Sequence, residues 1–587
     1  MHSFAVWAPW AAQVELLIED VCHPMVREHA GWWRIDVEAA GPGSRYGFVL
    51  DGGPVRPDPR SPFQPDGVDG LSAVVDHDVF VWSDTGWRGL ALPGAVLYEL
   101  HVGTFTSEGS FDAVVEELAY LRDLGVDAIE LLPVAEFPGE RGWGYDGVNL
   151  FAPYHVYGGP DGLKRLVDAC HNRGLGVILD VVYNHLGPHG NYLPAFGPYF
   201  SDHHVTNWGA ALNFDGSGSR EVRRFVIDNA LMWLADYHLD GLRLDAVHSI
   251  VDNSALHILE ELAEEVAVLA AHVRRPLFLI AENDRNDPRL VRPRPAGGFG
   301  LNAAWADDWH HAMHAALTGD RGGYYQDFGS LTMVAKAMRQ AWVYDGCWSA
   351  HRHRTHGRSP AGLTGDQFVV SLQNHDQVGN RARGERLSGL TSVDRLRVAA
   401  ALLLTAPFVP MLFQGEEWGA NTPWQYFTDH QDPSLGRAVR DGRRREFTAF
   451  GWNPEDVPDP QAAETYERST LDWSEPAREP HGSVLDWYRE LLALRRRIPA
   501  LTDPRLKPPH LDATASEADQ TIAVRRGPVR VLANLGGRAH TFGEHAWIPS
   551  RAHVLVLAAS APGVEAPTDT GTVVVPPDAV AIVDVSR

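Results

Sequence analysis

Cysteine is scarce in this chain. Three residues in 587, Cys22, Cys170 and Cys347, are too few and too widely spaced for a disulfide framework or a paired-thiol metal site. Their odd number fits reduced thiols in a cytosol, and all three read as packing residues. Positive charge is also in deficit: 51 Lys and Arg against 76 Asp and Glu leave a formal charge of -25, which argues against a phosphate-binding surface and a nucleic-acid partner. Long apolar runs are missing as well. The longest candidate, Val398 to Phe413, is interrupted by Pro407 and Pro410 and is too short to cross a bilayer, so it reads as the end of a helix entering a strand. The opening "MHSFAVWAP" has no basic segment followed by an apolar core, so no secretory signal is expected. No fixed-period repeat is visible.

What the chain does have is a hydrophobic fraction of 44% and enough length for two to four domains. Residues 1–90 read as an all-β domain, with Val14, Leu16 and Ile18 alternating onto one face and "RYGFVLDG" forming a strand and turn. The Pro-, Asp- and Gly-rich "RPDPRSPFQPDG" then predicts a linker or long loop. From Ala95 the pattern becomes eight strand candidates with amphipathic helices between most of them, from "AVLYELHV" to "VPMLFQGEEW". Nearly every strand ends in His, Asp, Glu or Asn, and no Gly-rich phosphate loop follows the first. An α/β fold of the closed (β/α)₈ (TIM) barrel type over residues 91–500 is therefore expected, rather than a doubly wound sheet.

Two long excursions, 186–219 and 421–479, are expected to wall the barrel mouth. The barrel is expected to close with a helix in "GSVLDWYRELLALRRRIPAL", with Ser483 and Asp486 as a capping box and Arg495, Arg496 and Arg497 on a solvated face. Residues 501–587 read as a C-terminal β-sandwich.

If the strand ends converge, three acids share the mouth: Asp245 after "GLRL", Glu282 after "FLIA" and Asp376 in "NHDQ". Several carboxyls with little positive charge keep different protonation states near neutrality, as glycoside hydrolysis requires. Arg243 lies two residues before Asp245, on the same side of its strand, and would keep it ionised. Asp245 reads as nucleophile and Glu282 as general acid/base. Among many aromatics near the expected mouth, Tyr145, flanked by Gly144 and Asp146, is the favoured sugar-stacking residue; most of the others are as easily explained as packing. Glu416 and Glu417 follow the last strand, where capping or a salt bridge is the simpler reading.

"DVVYNH" (180–185), "GLRLDAVHS" (241–249), "AEND" (281–284) and "NHDQ" (374–377) resemble, in order and spacing, the four signature regions of the α-amylase superfamily. The resemblance implies that Asp376 is a third essential acid, holding sugar hydroxyls, with Arg243, His185, His375, Asp180 and Tyr145 around the cleaved sugar. "FAVWAP", "ELHVGTFTSEGSF", "GWGYDGV", "FQGEEW", "RSPFQPDGVDG" and "AENDRND" narrow it to the maltooligosyltrehalose trehalohydrolases. For that family the implied reaction is hydrolysis of the α-1,4 bond next to a terminal α,α-trehalose, with Asn283 and Asp284 where the leaving trehalose is recognised and His248 and Trp208 as further substrate contacts. His248 and Ser249 replace the Lys-His pair of many amylases. Asn184 matches an amylase calcium ligand, but no acid cluster accompanies it, so Asp180 and Asn184 read as support for the site and neither metal nor cofactor is expected. A glucan branching enzyme and a non-catalytic glucan-binding protein are the alternatives; the latter lacks support because both catalytic acids are present.

Overall fold

A computed structural model of the chain describes residues 2–448, 452–543, 547–548, 553–567 and 571–585. All eight expected runs are strands: β1 (Leu97–Leu100), β2 (Ala128–Leu131), β3 (Gly176–Val181), β4 (Gly241–Leu244), β5 (Phe278–Ala281), β6 (Ala303–Trp305), β7 (Phe368–Ser371) and β8 (Val409–Phe413). Each pairs in parallel with its neighbours in sequence, and β8 closes onto β1 to complete a barrel.

Strand alternation explains why the barrel is apolar below and polar above. Leu97, Ala128, Ile178, Phe278, Val369 and Met411 belong to one buried cluster. Two residues beyond the first three, on the same side by the period of a strand, stand Glu99, Glu130 and Asp180. The acids thus rise from a dry plug of side chains.

The barrel is wrapped by α1 (Phe111–Leu124), α2 (Gly159–His171), α3 (Ser219–Ala235), α4 (Ile258–Val273), α5 (Asp307–Thr318), α6 (Leu331–Gln340), α7 (Val393–Thr405) and, beyond α8 (Pro433–Thr448) at the mouth, α9 (His481–Arg497). Helix α1 shows why the sequence folds this way. Ser110 accepts from the amide of Ala113 at its start, Gly125 ends it at φ 109°, and Phe111, Val114, Leu118 and Leu121 bury one stripe.

Before the barrel, a three-stranded sheet (His2–Trp7, Trp32–Val37, Val26–Arg27) and a five-stranded sheet centred on Val14–Ile18 and Arg45–Leu50 make the N-terminal unit. Trp32 donates to Glu221 and Arg60 pairs with Asp228, both on α3, which fixes that unit to the barrel. After α9 comes a five-stranded sheet whose centre is Thr521–Arg526, Val529–Asn534 and Ala579–Asp584, with a second pair, His540–Phe542 and Val573–Val575. The excursion 186–219 contains a hairpin, Phe200–Thr206 with Gly209–Leu212, and 421–479 contains α8.

Four expectations are corrected. Helix α9 begins at His481, so Ser483 lies inside its first turn and donates to the carbonyl of Pro480 instead of forming a capping box. Arg495 is not solvated: it is buried and donates to the carbonyls of Leu404, Ala406, Phe408 and Leu501, tying α9 to the end of α7. Glu416 and Glu417 are buried and accept from tyrosine hydroxyls, Tyr488 for the first and Tyr98 and Tyr120 for the second. Of the cysteines only Cys170 packs inside; Cys22 and Cys347 are exposed.

Replacing Arg495 strips four buried carbonyls of a charged donor, so Arg495→Ala is expected to lower unfolding stability by about 3 kcal/mol, whereas exposed Arg496→Ala changes it by less than about 0.5 kcal/mol. Denaturant unfolding of the two variants checks this; equal midpoints would remove Arg495 from the account.

Candidate active site

Arg243 on β4 organises the mouth. Buried completely, it approaches Asp180 at 2.6 Å and Asp245 at 3.0 Å through Nη1, and Glu282 at 3.1 Å through Nη2. Its Cζ lies 4.2 Å from the centre of the Trp305 ring. The ring of acids keeps the guanidinium charged against the cost of burial.

Asp245 and Glu282 thus occupy neighbouring nitrogens of one cation, but their other partners differ. The side-chain amide of Asn184 donates to Asp245 at 2.6 Å. Glu282 accepts from the backbone N–H of Ala246 at 2.6 Å, and Ala246 adopts a left-handed φ of 40°. A positive φ costs a β-carbon-bearing residue about 1 kcal/mol or more; the strain here directs an amide at the acid. Burial pushes Asp245 up to about 6, with Arg243 opposing, and pushes Glu282 up to about 7, with Asp245 and Asp376 adding to the rise and Arg243 opposing it.

The second cation is His375. Glu99 on β1 accepts from its Nδ1 at 2.6 Å and from its backbone amide at 3.0 Å. Asp376 lies 3.6 Å from Nε2. Together these acids raise the imidazole to about 9 against burial, so it is protonated at neutral pH. Tyr145 stacks beside His375, with ring centres 5.2 Å apart, and its hydroxyl bridges Asp180 at 2.6 Å and His375 at 2.7 Å. Gly144 makes that placement possible: its φ is 98°, and a β-carbon there would stand 2.2 Å from the Pro133 carbonyl.

Asp245, Glu282, Asp376, Tyr145, His185, His375 and Trp208 all line one cavity of about 450 Å³. His185 bonds to Asn184 and stacks on Trp208 at 5.5 Å. Trp208 comes from the first long excursion, while Tyr426, Phe427, His430 and Arg443 come from the second, so both excursions supply wall. Asp376 is the least enclosed of the three acids, its side chain 39% exposed against 12% for Asp245 and 16% for Glu282.

Other expected contacts stand apart from the cavity lining. Asn283 is buried, with its Oδ1 turned onto the amide of Arg285. Asp284 is engaged by Arg352 at 3.0 Å, and the carbonyl of His248 by Arg285 at 2.6 Å. Asp180 and Asn184 are buried, Asp180 bonded to Arg243 and Tyr145, and Asn184 to Asp245 and His185. Among the described residues no three His, Cys, Asp or Glu side chains are placed to hold a metal ion.

Reading the sequence missed Glu99, Glu130 and Asp307. Glu130 is buried and driven well above the usual carboxyl range, first by burial and then by Glu99. Burial, with Glu282 and Asp376, pushes Asp307 up to about 8. "YELH" and "AWADD" carried the same strand-end signal that located Glu282.

A family profile described as alpha amylase, catalytic domain, matches residues 78–196. The chain is 52% identical over 558 residues, 92% of its length and 96% of the relative, to the malto-oligosyltrehalose trehalohydrolase of Arthrobacter ramosus. It is 49% identical to the protein of that name from Rhizobium sp. (strain M-11) over 552 residues, 91% of each chain. A crystal structure of a putative α-amylase from Salmonella typhimurium superimposes with a TM-score of 0.90 at 39% identity, covering 99% of this chain and 97% of that one.

Removing the Glu99 charge should release the proton on His375. In Glu99→Gln the imidazole is expected to titrate well below about 9, toward its ordinary 6.5, by NMR of the ring; a pKa still near 9 would assign the shift to Asp376 alone.

Proposed function

The chain belongs to the malto-oligosyltrehalose trehalohydrolase family of α-amylase-type glycoside hydrolases, and from that premise we propose how its residues hydrolyse the α-1,4 bond that joins a maltooligosaccharide to a terminal trehalose. The observation that carries the reading is the pair of carboxyls on one guanidinium, Asp245 near pKa 6 and Glu282 near 7.

Glu282 in its acid form protonates the glycosidic oxygen as the bond to the anomeric carbon breaks. Ionised Asp245 attacks that carbon, and the trehalose leaves with the transferred proton. Water then attacks the glycosyl ester on Asp245 while Glu282, now a carboxylate, takes the water's proton, so the anomeric configuration is retained. Arg243 holds Asp245 ionised. Protonated His375 and the carboxyl of Asp376 bind hydroxyls of the sugar being cleaved, with Tyr145 stacked beneath its ring and His185 beside it. Burial holds His185 below its usual pKa, hence neutral. Asn283, Asp284 and His248 act from the leaving-group side through the loop that Arg285 and Arg352 brace, and Trp208 contributes an exposed wall.

The catalytic unit in this reading spans 91–500, flanked by β domains at 1–90 and 501–587. The partners are maltooligosyltrehalose and related α-1,4-glucans, and the site is a cytoplasmic one. No helix among the described residues is long and apolar enough to cross a membrane, and the three cysteines are unpaired.

Incubation with maltopentaosyl-trehalose is expected to release trehalose rapidly, with maltoheptaose cut slowly; equal rates, or longer and branched products without trehalose, would overturn the assignment. The pH dependence of kcat/KM should be bell-shaped. Below about pH 6 Asp245 gains a proton and loses nucleophilicity, and above about pH 7 Glu282 loses the proton it must donate, so the maximum falls between. Glu282→Gln should lower kcat by about 10²–10⁴-fold with an unchanged far-UV spectrum; near-normal turnover would remove Glu282 from the mechanism.

A further inference from the structure

Asp376 is braced differently from the other two acids at the mouth. Asp245 and Glu282 are held by Arg243, by Asn184 and by the Ala246 amide, all on barrel strands or just beyond their ends. Asp376 stands on a single helical turn, His375–Gly379, and among the described residues its carboxyl accepts one hydrogen bond, from the side chain of Asn380 at 3.4 Å. The start of the turn is held by Asn374, whose side chain accepts from the amides of Asp376 and Gln377. Its end is held from outside the barrel, by Arg443 on α8.

The guanidinium of Arg443 lies against two rings, its Cζ 5.2 Å from the centre of Tyr426 and 4.8 Å from that of Phe447. Its Nη1 donates to Oδ1 of Asn380 at 3.1 Å, and its Nη2 donates to the carbonyl of Gly379, the last residue of the turn. Two neighbouring acceptors suit a planar fork, and a cation suits the free carbonyl at the end of a helical turn. With Oδ1 of Asn380 engaged by Arg443, its Nδ2 is the group left to face Asp376. The charge of Asp376 acts on Arg443 in turn, and both residues line the catalytic cavity.

Resting on the function proposed above, we propose that Arg443 is a positioning residue: through Asn380 and the Gly379 carbonyl it fixes the carboxyl of Asp376 against the sugar being cleaved. It is bonded to neither reacting carboxyl, so it acts only through the acid that grips that sugar. Seating of α8 and completion of the grip are then one event. Because the gripped sugar is common to every α-glucan the site accepts, loss of Arg443 is felt alike whatever lies on the leaving-group side.

The test uses the full-length protein with Arg443→Ala, Asn380→Ala and the double variant, each assayed on maltopentaosyl-trehalose and on maltoheptaose. Each single substitution is expected to lower kcat about 30-fold on both substrates with KM held within about three-fold, and the double variant to fall no further than the worse single one. Wild-type kcat in either single variant, losses that multiply in the double variant, or a loss confined to the trehalose-ended substrate overturns the proposal. If Arg443→Ala does not fold, Arg443→Lys decides, since it keeps the charge and loses the fork: kcat lowered about ten-fold with KM held supports positioning, and wild-type kcat rejects it. A wild-type protein that cuts maltoheptaose but releases no trehalose would instead sink the underlying function, and the effect of Arg443 would still be read on maltoheptaose.

Discussion

One buried guanidinium sets the terms for the catalytic mouth. Arg243 is the only arginine within salt-bridge distance of Asp180, Asp245 and Glu282 among the described residues, and it cannot lose its proton. A single positive charge cannot neutralise three carboxyls and the further acids beside them. The surplus is resolved by retained protons, and the least compensated groups keep them to the highest pH. The protonation pattern that acetal cleavage needs is thus a product of charge counting in a poorly solvated space. His375 repeats the device on the other side, with Glu99 and Asp376 holding it charged.

Much of this was legible in the order of residues. Eight apolar runs with polar ends specify a barrel, because parallel strands converge their carboxyl ends on one face. Asp245, Glu282 and Asp376 could be placed at the mouth from that rule alone. Direction within the mouth was not legible. Asn283 follows Glu282 immediately, yet turns onto the amide of Arg285, since successive residues leaving a strand point in different directions and the loop has its own amides to satisfy. Burial of charge was equally hidden. Arg495 looks like its solvated neighbours Arg496 and Arg497 until the unpaired carbonyls at the end of α7 are seen to need a donor. Glu99 opens "ELHVGTFTSEGSF" and Asp307 follows the strand Ala303–Trp305, yet neither was singled out, because the order of residues does not show that Glu99 meets His375 or that Asp307 feels the charge of Glu282.

Much of the wall of the site comes from the two excursions, joined by Trp143, Tyr145 and Asp146 after β2 and by Asn380 after β7. Trp208 on the hairpin of the first and Arg443 on α8 of the second reach the same cavity, although more than two hundred residues separate them in sequence. Reactivity and selectivity are therefore carried by different parts of the chain. Strand ends hold the reacting carboxyls rigidly, and loops decide which saccharide fits above them.

Closure of β8 onto β1 has a consequence for the newborn chain. Glu99 meets His375 across 276 positions, and Tyr98 meets Glu417 across 319. A ribosome must therefore extrude most of the catalytic unit before its first strand finds its last neighbour. Until then the row of backbone groups on β1 has no partner on one side, and the acids above it lack the imidazolium that balances them. Folding of such a barrel is limited by contacts of long sequence separation, and the unpaired first strand is the segment most exposed to wrong partners during synthesis.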